Sequence, residues 1–277
     1  MEKLYAKKSL GQNFLIDGNV LFRIVEAVAI NPEDRILEIG PGKGALTELL
    51  AKKAKQVLAI ELDSRLVDFL GEKFLSFSNV EIIRNDILRT DLPRILSARW
   101  SGRWKVAANL PYNISSQVLF KFIDNRSYFS ELVLMLQKEV GERLVAPPDC
   151  KQYGILSVFC QLYFDISREF LVKPGSFRPI PKVDSIVLKF RVLPAPRVDV
   201  GDELFFRTVV KSSFGQRRKT LWNCIKSAKL GIAEKDLEQA FLRSGIDAGR
   251  RGETLSLEEF AVLAKALDAF RKNISDS

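Results

Sequence analysis

Asn109-Leu110-Pro111-Tyr112 closes an apolar run, and upstream of it stands the glycine cluster Glu38-Ile39-Gly40-Pro41-Gly42-Lys43-Gly44. The first set suits an exocyclic amine on a flat ring. An adenine N6 is a poor nucleophile because its lone pair is delocalised into the ring. Methylating it therefore requires acceptors for both N–H groups and a base held in place. Asn109 and the carbonyl of Pro111 can supply the acceptors, and Tyr112 the stacking face. The second set suits the methyl donor, because Gly40-x-Gly42, directly after a strand and before a helix, lets backbone approach a ligand where any Cβ would intrude.

Two acids extend the donor site. Glu61 ends the next strand, 21 positions after Gly40, where a carboxylate can accept both hydroxyls of a ribose. That much also fits NAD, since Gly40, Gly42 and Ala45 satisfy a permissive dinucleotide fingerprint. The following strands make the difference. Asn85-Asp86 ends the third, where a carboxylate can accept the exocyclic amine of an adenine ring, and Asn109 ends the fourth. In a parallel sheet all these carboxyl ends line one crevice, so a single ligand can touch them all. Taken singly, each feature has a plainer explanation. Glu61 or Asp86 would be a solvated strand-end acid, the glycines a tight turn, and Pro111 a strand terminator with ordinary loop neighbours. Their coincidence at successive strand ends favours the site.

The elements that must position these residues are legible as unbroken apolar runs. Arg35–Ile39, Gln56–Glu61, Val80–Asn85, Lys105–Leu110 and Glu131–Gln137 are predicted strands. Ala45–Lys53, a segment after Ser64 as N-cap with Leu66, Val67 and Leu70 on one face, and Ser116–Ile123 are predicted helices. Runs without alternation suit strands covered on both faces of a parallel sheet. Ile166–Val172 and Ser185–Val192, joined by a Pro-rich stretch with no helical pattern, predict a final antiparallel pair. Beyond Leu193-Pro194-Ala195-Pro196 no strand signal remains. Phe206, Val209, Val210 and Phe214 share a helical face with Gly215 placed to end it, and Ser256 with Glu259 forms a capping box before Phe260, Leu263, Leu267 and Phe270. The expectation is an α/β, Rossmann-like doubly wound sheet of seven strands, mostly parallel with the last antiparallel, over residues 1–194. A small all-helical domain for RNA binding is expected over 195–277.

Composition narrows the chemistry. The 277 residues carry 43 Lys plus Arg against 34 Asp plus Glu, a formal charge of +9 that favours a polyanionic partner. Histidine is absent, which removes Ser-His and Cys-His nucleophilic systems, His-ligated zinc and imidazole acid–base catalysis. Cys150, Cys160 and Cys224 are too scattered for a metal knuckle or a disulfide framework, and a reducing, cytoplasmic setting is expected. Residues 1–10 lack the apolar core of a signal peptide, and the richest apolar stretch, Tyr153–Phe164, is too short to span a bilayer, so no membrane role is expected.

Several longer stretches carry a family resemblance. They are Lys8–Leu15, Leu37–Gly44, Ile60–Asp63, Asn85-Asp86, Asn109–Ser115, Gln137–Leu144, Phe177–Ser185 and Phe214–Leu221. Through them the chain resembles the ribosomal RNA adenine N6-dimethyltransferases, most closely their bacterial small-subunit type, over nearly its whole length. The resemblance implies S-adenosyl-L-methionine as donor and no metal. It implies that Asn13 and Leu15 close over the donor, Gly40 meets its methionine moiety, Glu61 holds the ribose, Asp86 reads the adenine, and Asn109 lies between donor and target. It further implies that two adjacent adenosines near the 3′ end of small-subunit (16S) rRNA each receive two methyl groups, late in 30S subunit biogenesis, and that the protein is a monomer.

Tyr112 on one face and Phe177 on the other are expected to clamp the unstacked base, although Phe177 also suits a core position. Phe206–Asn223 contains Arg207, Lys211, Arg217, Arg218 and Lys219 and no acid, so it can follow a phosphate backbone, and Lys3, Lys7 and Lys8 can extend the basic rim. Three other functions stay open: a large-subunit rRNA dimethyltransferase of the macrolide-resistance type, a ribosome-assembly RNA-binding factor with little catalysis, and, remotely, an NAD-dependent oxidoreductase.

Overall fold

The computed structural model describes residues 5–7, 10–216 and 218–275. The chain divides into two compact units, one formed by Met1–Gly141 with Phe164–Val192 and the other by Glu142–Tyr163 with Leu193–Ser277. The second unit thus draws in 142–163, which a division at residue 194 assigns to the first domain.

The first unit is built on β2 (Arg35–Ile39), β3 (Gln56–Glu61), β4 (Val80–Arg84), β5 (Trp104–Asn109), β6 (Phe129–Gln137), β7 (Phe164–Val172) and β9 (Ser185–Val192). They form one seven-stranded sheet in the order β4-β3-β2-β5-β6-β9-β7. All pairs from β4 to β6 are parallel. β9 pairs antiparallel with both β6 and β7, so it alone is reversed. Burial follows position in the sheet. The inner strands β2, β3 and β5 are buried at nearly every residue, because helices cover both faces. The edge strand β7 alternates, exposes Asp165 and Glu169, and carries a bulge between Arg168 and Phe170, devices that discourage edge-to-edge pairing.

Helices α1 (Gly18–Val28), α2 (Ala45–Ala51), α3 (Ser64–Lys73), α4 (Leu92–Ser97) and α5 (Ser115–Asp124) alternate with these strands. α1 starts on Asp17, whose carboxylate accepts from the amides of Asn19 and Val20, and it buries Val20, Leu21, Ile24, Val25 and Val28. One expectation is corrected at α3: the cap is Asp63, whose carboxylate accepts from Arg65 N–H, and Ser64 is the first helical residue. An aspartate accepts that bond more strongly because it is charged. A second sheet, not foreseen, pairs β1 (Phe14–Leu15) antiparallel with β8 (Phe177–Arg178) and ties the N-terminal segment to the Pro-rich stretch.

In the second unit the described residues form helices only: α7 (Ile155–Tyr163), α8 (Glu203–Ser213), α9 (Leu221–Ser227), α10 (Glu234–Ser244) and α11 (Leu257–Ser275) lie wholly or mostly within it. α6 (Lys138–Leu144) straddles the division. The capping box is present, with Ser256 N–H donating to Glu259 Oε2 at 2.8 Å and Glu259 N–H to Ser256 Oγ at 3.2 Å. Phe260, Leu263 and Leu267 are buried behind it, while Phe270 is half-buried under the Arg243 guanidinium. Among the described residues no helix is long and apolar enough to cross a membrane.

Candidate active site

Hydrogen bonding continues past the strand ends and brings their carboxyl termini to one edge of the sheet. Gly40 N–H donates to Ile60 O at 2.9 Å, Asn85 N–H to Glu61 O at 3.0 Å, and Leu110 N–H to Met135 O at 3.1 Å. At this edge opens a cavity of about 510 Å³ whose wall includes Asn13, Leu15, Gly40, Gly42, Glu61, Asp86, Asn109, Pro111 and Tyr112. The residues singled out for donor and acceptor therefore share one chamber. Phe177 is not among them.

The glycine loop leads into α2 with three left-handed residues, Gly40 (φ 65°), Gly42 (φ 59°) and Gly44 (φ 73°). They are needed for different reasons. A Cβ on Gly44 would lie 2.6 Å from Phe74 and 2.7 Å from Leu70, so this glycine permits helix packing. A Cβ on Gly42 would press on the Phe14 ring at 3.0 Å. A Cβ on Gly40 would meet no protein atom within 4 Å, although the residue lines the cavity. Space left open where the backbone is bare is what a ligand in close contact requires.

Glu61 is buried and held by backbone: its Oε1 accepts from Leu62 and Asp63 N–H, both at 2.9 Å, and its Oε2 from Gly42 N–H at 3.3 Å. Burial raises its pKa, and these three amides oppose the rise by favouring the anion. Asp86 spends Oδ1 on Leu88 N–H at 2.9 Å, while Arg89 stands 3.9 Å from Oδ2. The sequence reading gave no role to Glu38, Leu62 or Ile87, which also line the chamber. Glu38 is 2% exposed, and its Oε2 is buried without a hydrogen-bond partner. Burial pushes its carboxyl up to about 8. Nearby Glu61 adds to the rise, whereas Thr47 and Lys73 oppose it. Its signal was a charge in the middle of the buried run Arg35–Ile39; Leu62 and Ile87 follow the strand-end acids by one position.

At the acceptor end, Asn109 Nδ2 donates to the Asn13 carbonyl at 3.1 Å, which leaves Oδ1 as the acceptor. The Pro111 carbonyl accepts from Ile114 N–H at 3.2 Å and keeps its second lone pair. Tyr112 is half-buried, its hydroxyl 2.7 Å from Ser185 Oγ, and burial raises the phenol pKa. The expected second clamp is corrected. Phe177 is 0% exposed and belongs to the core cluster that holds Val172 and Val187. In the two-residue strand β8, alternation turns Phe177 inward and Arg178 outward.

The basic residues separate by environment. Lys7 reaches Asp63 at 3.2 Å, and Gln12 and Arg65 bond the same carboxylate, so Lys7 pins the N-terminal segment to the α3 cap. These partners hold the Asp63 carboxyl far below the usual range. The Arg207 guanidinium lies over Phe159 and Tyr163, at 5.8 and 5.9 Å from the ring centres. Lys211, Arg218 and Lys219 are exposed. Lys3, Lys8 and Arg217 lie outside the described residues.

The profile described as "Ribosomal RNA adenine dimethylase" matches residues 3–269. A protein of Geobacter metallireducens called ribosomal RNA small subunit methyltransferase A is 59% identical over 268 residues, covering 97% of this chain and 98% of its own. One of the same description from Clostridium botulinum is 46% identical, with 94% and 93% covered. The crystal structure of a dimethyladenosine transferase from Plasmodium falciparum superposes with a TM-score of 0.76 at 26% identity, covering 92% of this chain and 98% of that one.

Proposed function

The chain belongs to the ribosomal RNA adenine dimethylase family, and from that premise we propose that it transfers methyl groups from S-adenosyl-L-methionine to N6 of two adjacent adenosines near the 3′ end of 16S rRNA, late in 30S subunit biogenesis. The single observation that carries the assignment to these residues is the shared chamber: the glycine loop, Glu61 and Asp86 at one end, and Asn109, Pro111 and Tyr112 at the other.

When bound, the donor supplies a methyl group on a sulfonium. The chain supplies position and charge. Glu61 accepts the ribose hydroxyls while three backbone amides hold its carboxylate in place. Asp86 accepts an adenine amine, and Leu62 and Ile87 offer apolar surface beside it. The bare Gly40 backbone meets the methionine moiety. Asn13 and Leu15 close the chamber, and the Asn13 carbonyl orients the Asn109 amide. Asn109 Oδ1 and the Pro111 carbonyl accept the two N6–H bonds of the target. This draws nitrogen toward a tetrahedral geometry and stabilises the positive charge that develops there. Tyr112 stacks on the extruded base, a contact worth about 1–3 kcal/mol. Holding both reactants in line can remove about 7–11 kcal/mol of barrier, so no covalent nucleophile is needed. The first domain carries the chemistry, and the helical domain, with Lys211, Arg218 and Lys219 exposed, contacts RNA.

The test is methylation of unmodified small subunits, and separately of naked large-subunit RNA, with methyl-labelled donor followed by nucleoside analysis. N6,N6-dimethyladenosine in the small-subunit RNA is expected. Label only in the large-subunit RNA, or in cytosine, would overturn the assignment.

A further inference from the structure

We infer that Ser185 is a positioning residue for the Tyr112 ring, and that the reversed strand β9 serves the site by delivering this hydroxyl to the catalytic edge. The inference rests on Tyr112 being the stacking face for the target base. Tyr112 lies in a loop between β5 and α5, where no ladder of backbone bonds restrains it. Two serines hold it instead. Ser115 Oγ donates to the Tyr112 carbonyl at 3.3 Å, and Ser185 Oγ shares a 2.7 Å hydrogen bond with the phenol oxygen at the far end of the ring. The residue is thus held at its backbone and at the tip of its side chain.

Topology explains the source of the second tether. Parallel strands present their carboxyl ends at this edge, so a strand beginning there must run the other way. β9 does so. Its first residue, Ser185, pairs with Gln137, the last of β6, and with Val172, the last of β7, while Asn109 pairs with Met135 two residues short of the end of β6. Ser185 is 0% exposed, so its hydroxyl cannot turn to water, and the phenol is the side-chain partner it meets. Phenylalanine would stack as well as tyrosine. The Tyr112 hydroxyl is therefore of use at its tip, as the anchor point, and the Ser185 bond fixes where the far end of the ring lies.

The test is a double-mutant cycle on methylation of unmodified small subunits by Ser185→Ala, Tyr112→Phe and the double variant, with donor affinity by calorimetry and melting temperature alongside. Each single change is expected to lower kcat/KM about tenfold, as loss of one positioning hydrogen bond would, with donor Kd within about twofold of wild type. The double variant should be no worse than the poorer single one. Ser185→Thr, which keeps the hydroxyl, should stay near wild type, and Ser185→Cys, which keeps the volume but bonds weakly, should follow Ser185→Ala. Additive losses of about a hundredfold in the double variant would mean the two residues act separately and would overturn the inference, as would a fully active Ser185→Ala or Ser185→Cys enzyme. Failure of the underlying assignment looks different, because the wild-type protein itself would then leave the subunits unlabelled.

Discussion

Asn109 and Glu38 illustrate how one buried edge assigns opposite tasks to neighbouring polar side chains. Asn109 has its amide nitrogen committed to Asn13, so its oxygen is pre-oriented and, in the proposed reaction, would need no reorganisation to accept from the target. Asn109→Ala is expected to lower kcat by about 10²–10³ while leaving donor Kd nearly unchanged, as read by single-turnover methylation and calorimetry. A variant with normal kcat and lost donor binding would reassign the residue to the donor alone. Glu38 is a carboxyl whose folded-state pKa, about 8, lies above the ordinary 4.5. Its proton is bound more tightly in the folded chain. The associated stability is fully present below about pH 4.5 and is lost as pH rises through about 8. Glu38→Gln, permanently neutral, should therefore melt above wild type at pH 8.5, by about 2–4 °C for each kcal/mol recovered, with the gap closing toward pH 5. Parallel pH profiles of melting temperature would refute this account.

At the scale of elements, the glycine loop sets a tightly packed position, Gly44, beside one open to the cavity, Gly40. Gly44→Ala would force Phe74 and Leu70 of the α3 region to move, on top of the cost of a left-handed alanine, and should cost about 2–4 kcal/mol of stability by denaturant unfolding. Gly40→Ala carries the left-handed cost of about 1–2 kcal/mol without a clash, yet places a methyl group at the bare wall of the chamber. Its donor Kd should rise at least tenfold, a larger effect on binding than on folding. If both variants lost stability equally and bound donor equally well, the chamber would not be the donor site. Most of these elements were legible in sequence because strands buried on both faces are written as unbroken apolar runs, and Arg35–Ile39 and Gln56–Glu61 begin and end where their composition places them. The two-residue pair β1-β8 was not, because so short a strand has no periodicity and exists only through its distant partner, Phe14 opposite Arg178 and Leu15 opposite Phe177.

For the whole molecule, charge governs the partner. A chain of net charge +9 that displays Lys211, Arg218 and Lys219 should bind RNA with a steep salt dependence. Replacing Arg218 and Lys219 by alanine is expected to weaken small-subunit binding and to flatten the slope of log K against log salt by about 0.7–0.9 for each phosphate contact removed, with donor affinity unchanged. Filter binding across a salt series measures both; an unaltered slope would place the RNA contact elsewhere. Lys7 is a poorer choice for such a test, because its ammonium is engaged by Asp63 and its loss would loosen the N-terminal segment as well.

By itself the sequence determined the alternation of strands and helices, the strand-end positions of Glu61 and Asn109, the place of Asp86 just past the end of β4, and the reaction class, because these rest on local burial pattern and on motifs that keep their chemistry wherever the chain goes. Tertiary structure decided the rest. Phe177 went to the core, Glu142–Tyr163 joined the helical unit, and Ser185 arrived beside Tyr112. Each of these depends on which residues distant in the chain come to lie together, and an amphipathic pattern states that a face is buried without stating against what.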